Sequence, residues 1–218
     1  ITRNAIVDLA EMAANDGGRW LAAEHDADKR SAQLGGKPVA LDFKATDKAR
    51  IIDFLGYAYA RTPSDVSGAP MTRYDESKPE VWKIPLRDEV VPALTATAPR
   101  GGYLVPAAWA ALVEPKLRLH GIEYRRLDAP LHAVAVETFR VAAPKFDPVS
   151  FEGHQRATLA GNWTRATRDL GTGALFVPIA QAGARLAMAL LEPQAPDSLA
   201  AWGEMNNAFE QKEYMEDY

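Results

Sequence analysis

Four histidines, His25, His120, His132 and His154, and no cysteine set the range of side-chain chemistry open to this chain. Without cysteine there is no disulfide, thiolate zinc site, iron–sulfur cluster or thiol nucleophile. The one motif with metal-binding letters is His120-Gly121-Ile122-Glu123, an H-x-x-E spacing that can place two zinc ligands on a short loop. A catalytic zinc needs a third protein ligand and an open position for water, and neither His132 nor His154 lies in a ligand-like context. His120 ends a predicted helix, where the macrodipole favours an imidazole, and Gly121 is the capping residue after it.

The other candidates have simpler readings. His25 and Asp28 lie one turn apart on a charged helical face, which reads as solvated surface. Glu152-Gly153-His154 could orient an imidazole with a carboxylate, yet no serine in a nucleophile-elbow setting completes a triad, and the glycine suits a turn. Gly171-Thr172-Gly173 lacks the third glycine and the Lys-Ser/Thr pair of a phosphate loop, so it too reads as a tight turn. Asn162-Trp163-Thr164 fits a glycosylation acceptor but is explained equally well by a hairpin turn. Trp82, Trp109, Trp163, Tyr57, Tyr59 and Tyr74 could build a platform for sugars or peptides, with core packing as the default for such residues. No residue is assigned as catalytic, cofactor-binding or metal-binding.

The elements that carry these residues follow from periodicity. Ile6, Leu9, Met12, Ala13, Trp20 and Leu21 recur at helical spacing over residues 4–34, with Gly17-Gly18 as a break point and Gly35-Gly36-Lys37-Pro38 as the stop. Val39, Leu41 and Phe43 alternate as a half-buried strand. From Ile51 to Ala98, β-branched and aromatic residues are interrupted by Pro63, Pro70, Pro79, Pro85 and Pro92, which predicts short strands with residues 61–79 as an exposed loop. Tyr103–Pro106, a helix through Trp109, Val113 and Leu117, and the alternating Ile122–Leu127 form a strand–helix–strand unit whose length permits a parallel pair. Val134–Val141 is a strand, and Arg156–Ala160 and Trp163–Arg168 form a hairpin around Gly161-Asn162. Ala174–Ile179 is a buried strand, Gln181–Leu191 a helix, and Asp197 or Ser198 caps a last helix through Leu199, Trp202, Met205 and Phe209.

The expected class is therefore α+β: an N-terminal helix, a short-stranded β layer, then a mixed strand–helix–strand unit with two C-terminal helices. The corresponding divisions are 1–36 as a helical connector, 37–98 as a small β-rich subdomain and 99–218 as an α+β C-terminal subdomain. With 25 basic and 29 acidic residues the 218-residue chain has a net charge of −4 and scattered cations, which disfavours nucleic acid and anionic membranes as partners. Its apolar runs are about half the length of a bilayer span, so no membrane span and a soluble piece are expected. Ile1 in place of an initiator methionine suggests a processed product or a fragment with an upstream region.

Several segments carry a family resemblance: Pro99-Arg100-Gly101-Gly102-Tyr103-Leu104-Val105-Pro106, Leu119–Leu127, Val136–Val141, Phe151–His154, Gly173–Pro178 with Gln181, and Leu190-Leu191-Glu192-Pro193 through Trp202. Together they resemble the C-terminal region of large bacterial M14-type zinc carboxypeptidases. In that family an upstream domain carries the H-x-x-E motif, a second zinc-binding histidine and the catalytic glutamate, none of which transfers to a position here. The resemblance implies a non-catalytic accessory region with no cofactor of its own. It further implies zinc in the upstream domain, that domain as partner, and a secreted or periplasmic setting. The competing expectation is a stand-alone binding module for peptide, peptidoglycan or carbohydrate.

Overall fold

Three short strands and two helices gather most of the buried apolar side chains. The computed structural model describes residues 2–209. Helix α1 (Thr2–Ser31) leads into β1 (Pro38–Ala45), β2 (Arg50–Pro63), β3 (Pro70–Leu86) and β4 (Val90–Thr97). Then come β5 (Gly102–Val105), α2 (Ala107–Leu119), β6 (Arg125–Arg126), β7 (Leu131–Phe146), β8 (Ala157–Leu170), β9 (Leu175–Pro178) and α3 (Ala184–Leu191). The result is a mixed α+β fold with several small sheets and two helices beyond the first.

The described chain forms two compact units, residues 1–42 with 94–218, and residues 43–93. In the larger unit, β9 lies between β5 and β6 and runs antiparallel to both. The strand–helix–strand unit therefore runs β5 and β6 in the same direction, with β9 between them. Val113 and Leu117 of α2, Leu175 and Val177 of β9, and Ala184, Ala187 and Met188 of α3 form a core with Val39, Ala98, Ile122 and Leu199. The 3.6 and 2 residue periods put these side chains on the facing surfaces.

Helix α1 runs unbroken through Gly17-Gly18, where a glycine costs only about 1 kcal/mol relative to alanine. Four features differ from the sequence expectation. First, the β layer at 50–86 is a single long hairpin rather than a set of short strands. The predicted loop at 61–79 shrinks to a tip at 64–69 between Pro63 and Pro70, closed by Ser64 N–H to the Ala69 carbonyl at 2.8 Å. In a two-stranded ribbon both strands are edges, so Pro85 sits within β3 opposite Ile51, while Pro79 lies beside the register shift at Tyr57/Ala58.

Second, Gly161-Asn162 is not a turn, because β8 is continuous and pairs Gly161 with Val141 and Asn162 with Arg140. Glycine is required there for a close approach: a Cβ on Gly161 would lie 2.2 Å from the Arg140 carbonyl oxygen, beside a register shift at Val141/Ala143. The chain reverses instead at Phe151–His154, whose backbone groups bond reciprocally at 2.9 Å around Glu152 (φ 51°) and Gly153 (φ 81°). Third, the predicted strand over Ile122–Leu127 is reduced to Arg125–Arg126.

Fourth, the segment after Pro193 forms successive turns ending in a 3₁₀ turn at Asn206–Ala208 rather than a last helix. Leu199 N–H donates to the Leu190 carbonyl at 3.0 Å, and Ser198 Oγ bridges the Pro193 carbonyl and Ala201 N–H. Gly203 at φ 81° then turns the backbone into the left-handed region. The apolar spacing read as helical serves two clusters instead, with Leu199 in the main core and Ala200 packed with Ala157 and Leu159 of β8.

Candidate functional site

The H-x-x-E letters fall at the end of α2. His120 is the C-cap, its N–H donating to the Lys116 carbonyl at 3.1 Å, and Gly121 at φ 64° lets Ile122 N–H reach the Leu117 carbonyl at 2.9 Å. This is the left-handed C-terminal geometry that a glycine provides. Glu123 is held by its backbone, because buried Gln181 accepts from its N–H at 2.8 Å and donates to its carbonyl at 3.1 Å. Both His120 and Glu123 present exposed side chains. Among the described residues no group of three or more His, Asp or Glu is placed to hold a metal ion. Among the described residues, none joins His120 and Glu123 as the third ligand that a catalytic zinc needs.

The remaining histidines are dispersed. His25 is exposed on α1, where neighbouring Asp26 pairs with Lys29 at 3.3 Å. His132 meets Asp169 at 3.5 Å on the β7–β8 hairpin, and the Ala133 N–H and His132 hold the Asp169 carboxyl below its ordinary value. His154 abuts the Trp202 ring edge-on at 5.4 Å, with the Arg156 guanidinium 5.1 Å from the same ring. Arg156 also donates to the Pro196 carbonyl at 2.9 Å, so this group ties the β7–β8 turn to the C-terminal turns.

Among the described residues one carboxylate is buried. Glu192, immediately after α3, is 6% exposed. Its Oε1 accepts from the Tyr103 hydroxyl of β5 at 2.5 Å, and its Oε2 from the Trp163 indole N–H of β8 at 3.3 Å. Desolvation pushes the Glu192 carboxyl above its ordinary value, opposed by these two hydrogen bonds. Burial, then the charge and hydrogen bond of Glu192, push the Tyr103 hydroxyl up as well. The arrangement keeps Tyr103 a donor and ties β5, the end of α3 and the β7–β8 hairpin through one acceptor. In the sequence Glu192 lies in a resembling segment and Tyr103 in both a resembling segment and the expected strand Tyr103–Pro106, and neither is a candidate site residue there. The sequence signal that exposes them is a carboxylate placed between the apolar run Ala187–Leu191 and Pro193.

Of the predicted aromatic platform, the structure brings together Tyr59, Tyr74 and Trp82, and adds Phe54. Trp82 stacks on Phe54 at 5.9 Å and meets Tyr59 at 5.7 Å and Tyr74 at 6.1 Å, with the Arg61 guanidinium 5.6 Å from the Tyr59 ring. Strict alternation would put Phe54 and Tyr59 on opposite faces; the irregularity between Tyr57 and Ala58 breaks that alternation. A Cβ on Gly56 would lie 2.5 Å from the Trp82 ring, so glycine is what lets the indole lie flat on the ribbon. Trp109 packs against the main core and Trp163 against Phe139.

Comparison with known proteins finds fungal relatives. A protein named carboxypeptidase 2 from Trichophyton rubrum is 33% identical over 113 residues, covering 51% of this chain and 20% of that protein. Proteins of the same name from Trichophyton tonsurans and Trichophyton equinum are 31% and 32% identical over 110 and 111 residues, with 50% of this chain and 20% of each relative covered. About half of this chain is thus similar to a part of these carboxypeptidase 2 proteins. It spans about a fifth of the length of these relatives, which is consistent with a non-catalytic accessory region. No family model and no solved structure matches the chain.

Proposed function

We propose that this chain is a non-catalytic accessory region, C-terminal to the catalytic domain of a larger M14-type zinc carboxypeptidase-like protein, bacterial and secreted or periplasmic. The observation that carries this reading is the match over half of the chain but only a fifth of the carboxypeptidase 2 relatives. Helix α1 supports it with a docking surface. Ile6, Leu9, Ala13 and Trp20 form one stripe opposite Asn4, Asp8, Glu11 and Asn15, and Ile6 and Leu9 are 62% and 63% exposed. In this reading the upstream domain supplies zinc and bond cleavage, and the present chain covers and stabilises it.

Peptide C-terminal release and elemental zinc, measured on the isolated chain and on the full-length protein, test the assignment. Zinc-dependent release by the full-length protein and none by the isolated chain is the expected result. Release by the isolated chain would overturn it. Replacing Ile6 and Leu9 by glutamate in the full-length protein should lower its thermal midpoint while leaving the isolated chain's midpoint unchanged.

The Phe54–Tyr59–Tyr74–Trp82 cluster favours a second reading, a binding module for peptide, peptidoglycan or carbohydrate, since its three named partners of Trp82 are about half exposed. Sedimentation with insoluble cell-wall material decides it. Retention of the wild-type chain and loss in Trp82→Ala would support the module, and equal retention of both would discard it.

A further inference from the structure

Arg30 from the last turn of α1, Lys37 from the loop that follows and Arg185 from the first turn of α3 line one cavity of about 380 Å³, together with Ala27, Ser31, Gln33 and Leu34. All seven residues belong to the larger unit. None of the lining residues is acidic, although the chain as a whole carries a net charge of −4. Among the described residues, Arg30, Lys37 and Arg185 make no ion pair, whereas neighbouring Lys29 is paired with Asp26.

Cations near a helix C-terminus ordinarily satisfy its last carbonyls. Here the backbone does so: Ala32 N–H donates to the Asp28 carbonyl at 2.9 Å, Gln33 N–H to that of Arg30 at 3.2 Å, and Leu34 N–H to that of Ser31 at 3.2 Å. The loop closes with Lys37 N–H on the Leu34 carbonyl at 2.8 Å, and the Arg100 side chain runs beside Gly36 of the loop. Three cationic residues from three segments thus line one concavity that has no acidic lining residue, and an oxyanion there would find charge-assisted donors.

We propose that this cavity is a binding site for an oxyanion, a carboxylate or phosphate group held by Arg30, Lys37 and Arg185. The site is independent of the accessory role argued above. Isothermal titration of the 218-residue chain at constant ionic strength, with inorganic phosphate and separately with N-acetyl-alanine and its amide, tests it and separates the two sources. One saturable site for phosphate or for the free carboxylate, but none for the amide, is expected. Arg185→Gln and Lys37→Gln should each weaken it about tenfold. Both side chains are exposed, so circular dichroism should be unchanged, and Arg3→Gln at the far end of α1 should leave affinity unaltered. Absence of a saturable site for either anion, or equal affinity in Arg185→Gln and Lys37→Gln, would overturn the assignment.

Discussion

Burying Glu192 beside Tyr103 and Trp163 gives this carboxylate a pH dependence opposite in sign to that of an ion-paired one. Its folded pKa is raised above the unfolded value, so within that window the folded state holds more protons. This contribution is fully present below the unfolded pKa near about 4.3 and is lost as pH rises through the raised folded value. Glu89, Glu114 and Asp169 act the other way, their carboxyls being lowered by Lys48, Arg126 and the Ala133 N–H respectively. Urea melts of wild type and Glu192→Gln between acid and neutral pH separate the two, because only the Glu192 component disappears in the variant. Stability of wild type relative to Glu192→Gln should fall with rising pH. Tyr103→Phe removes the 2.5 Å donor to a buried acceptor and should cost about 1–3 kcal/mol. Little of this was legible beforehand, because Tyr103 and Trp163 lie 89 and 29 residues from Glu192 and no local pattern links them. The H-x-x-E letters, by contrast, were visible at once, and Gly121 correctly marked them as a helix end.

Elements with a strong period and a clean stop were readable: β5, α2 with its Gly121 cap, β9 and α3 lie where their apolar spacing puts them. Elements whose identity depends on a partner strand were not. Gly161-Asn162 has the composition of a turn, but the register opposite Arg140 and Val141 uses the glycine for close approach. Gly161→Ala should therefore destabilise by about 1–3 kcal/mol through overpacking, whereas a surface turn glycine of open geometry would tolerate it. Leu117→Ala, at a fully buried position in α2, should cost about 2–5 kcal/mol. Chemical denaturation of the two variants checks both values.

For the molecule as a whole, burial is uneven. Within residues 43–93 the only buried residue is Gly56, beneath Trp82, while residues 1–42 and 94–218 hold the apolar core. The ion pairs Lys48–Glu89, Arg50–Asp88 and Arg87–Asp47 brace the base of the β2–β3 hairpin, yet as exposed, solvent-screened pairs they add little stability. A two-stranded ribbon is marginal without further packing. Amides of β2 and β3 should accordingly exchange with deuterium faster than those of α2 and β9, as peptide-resolved exchange would show. Composition, helical and strand periods, and capping glycines are local properties, and from them the α+β class and the positions of the core helices follow directly. The joining of Glu192 to Tyr103 and Trp163, the meeting of Phe54 and Tyr59 with Tyr74 and Trp82, and the placing of Arg185 on the cavity that Arg30 and Lys37 line bring together residues far apart in the chain. They depend on strand register and on the packing of distant segments, which no short window of sequence encodes.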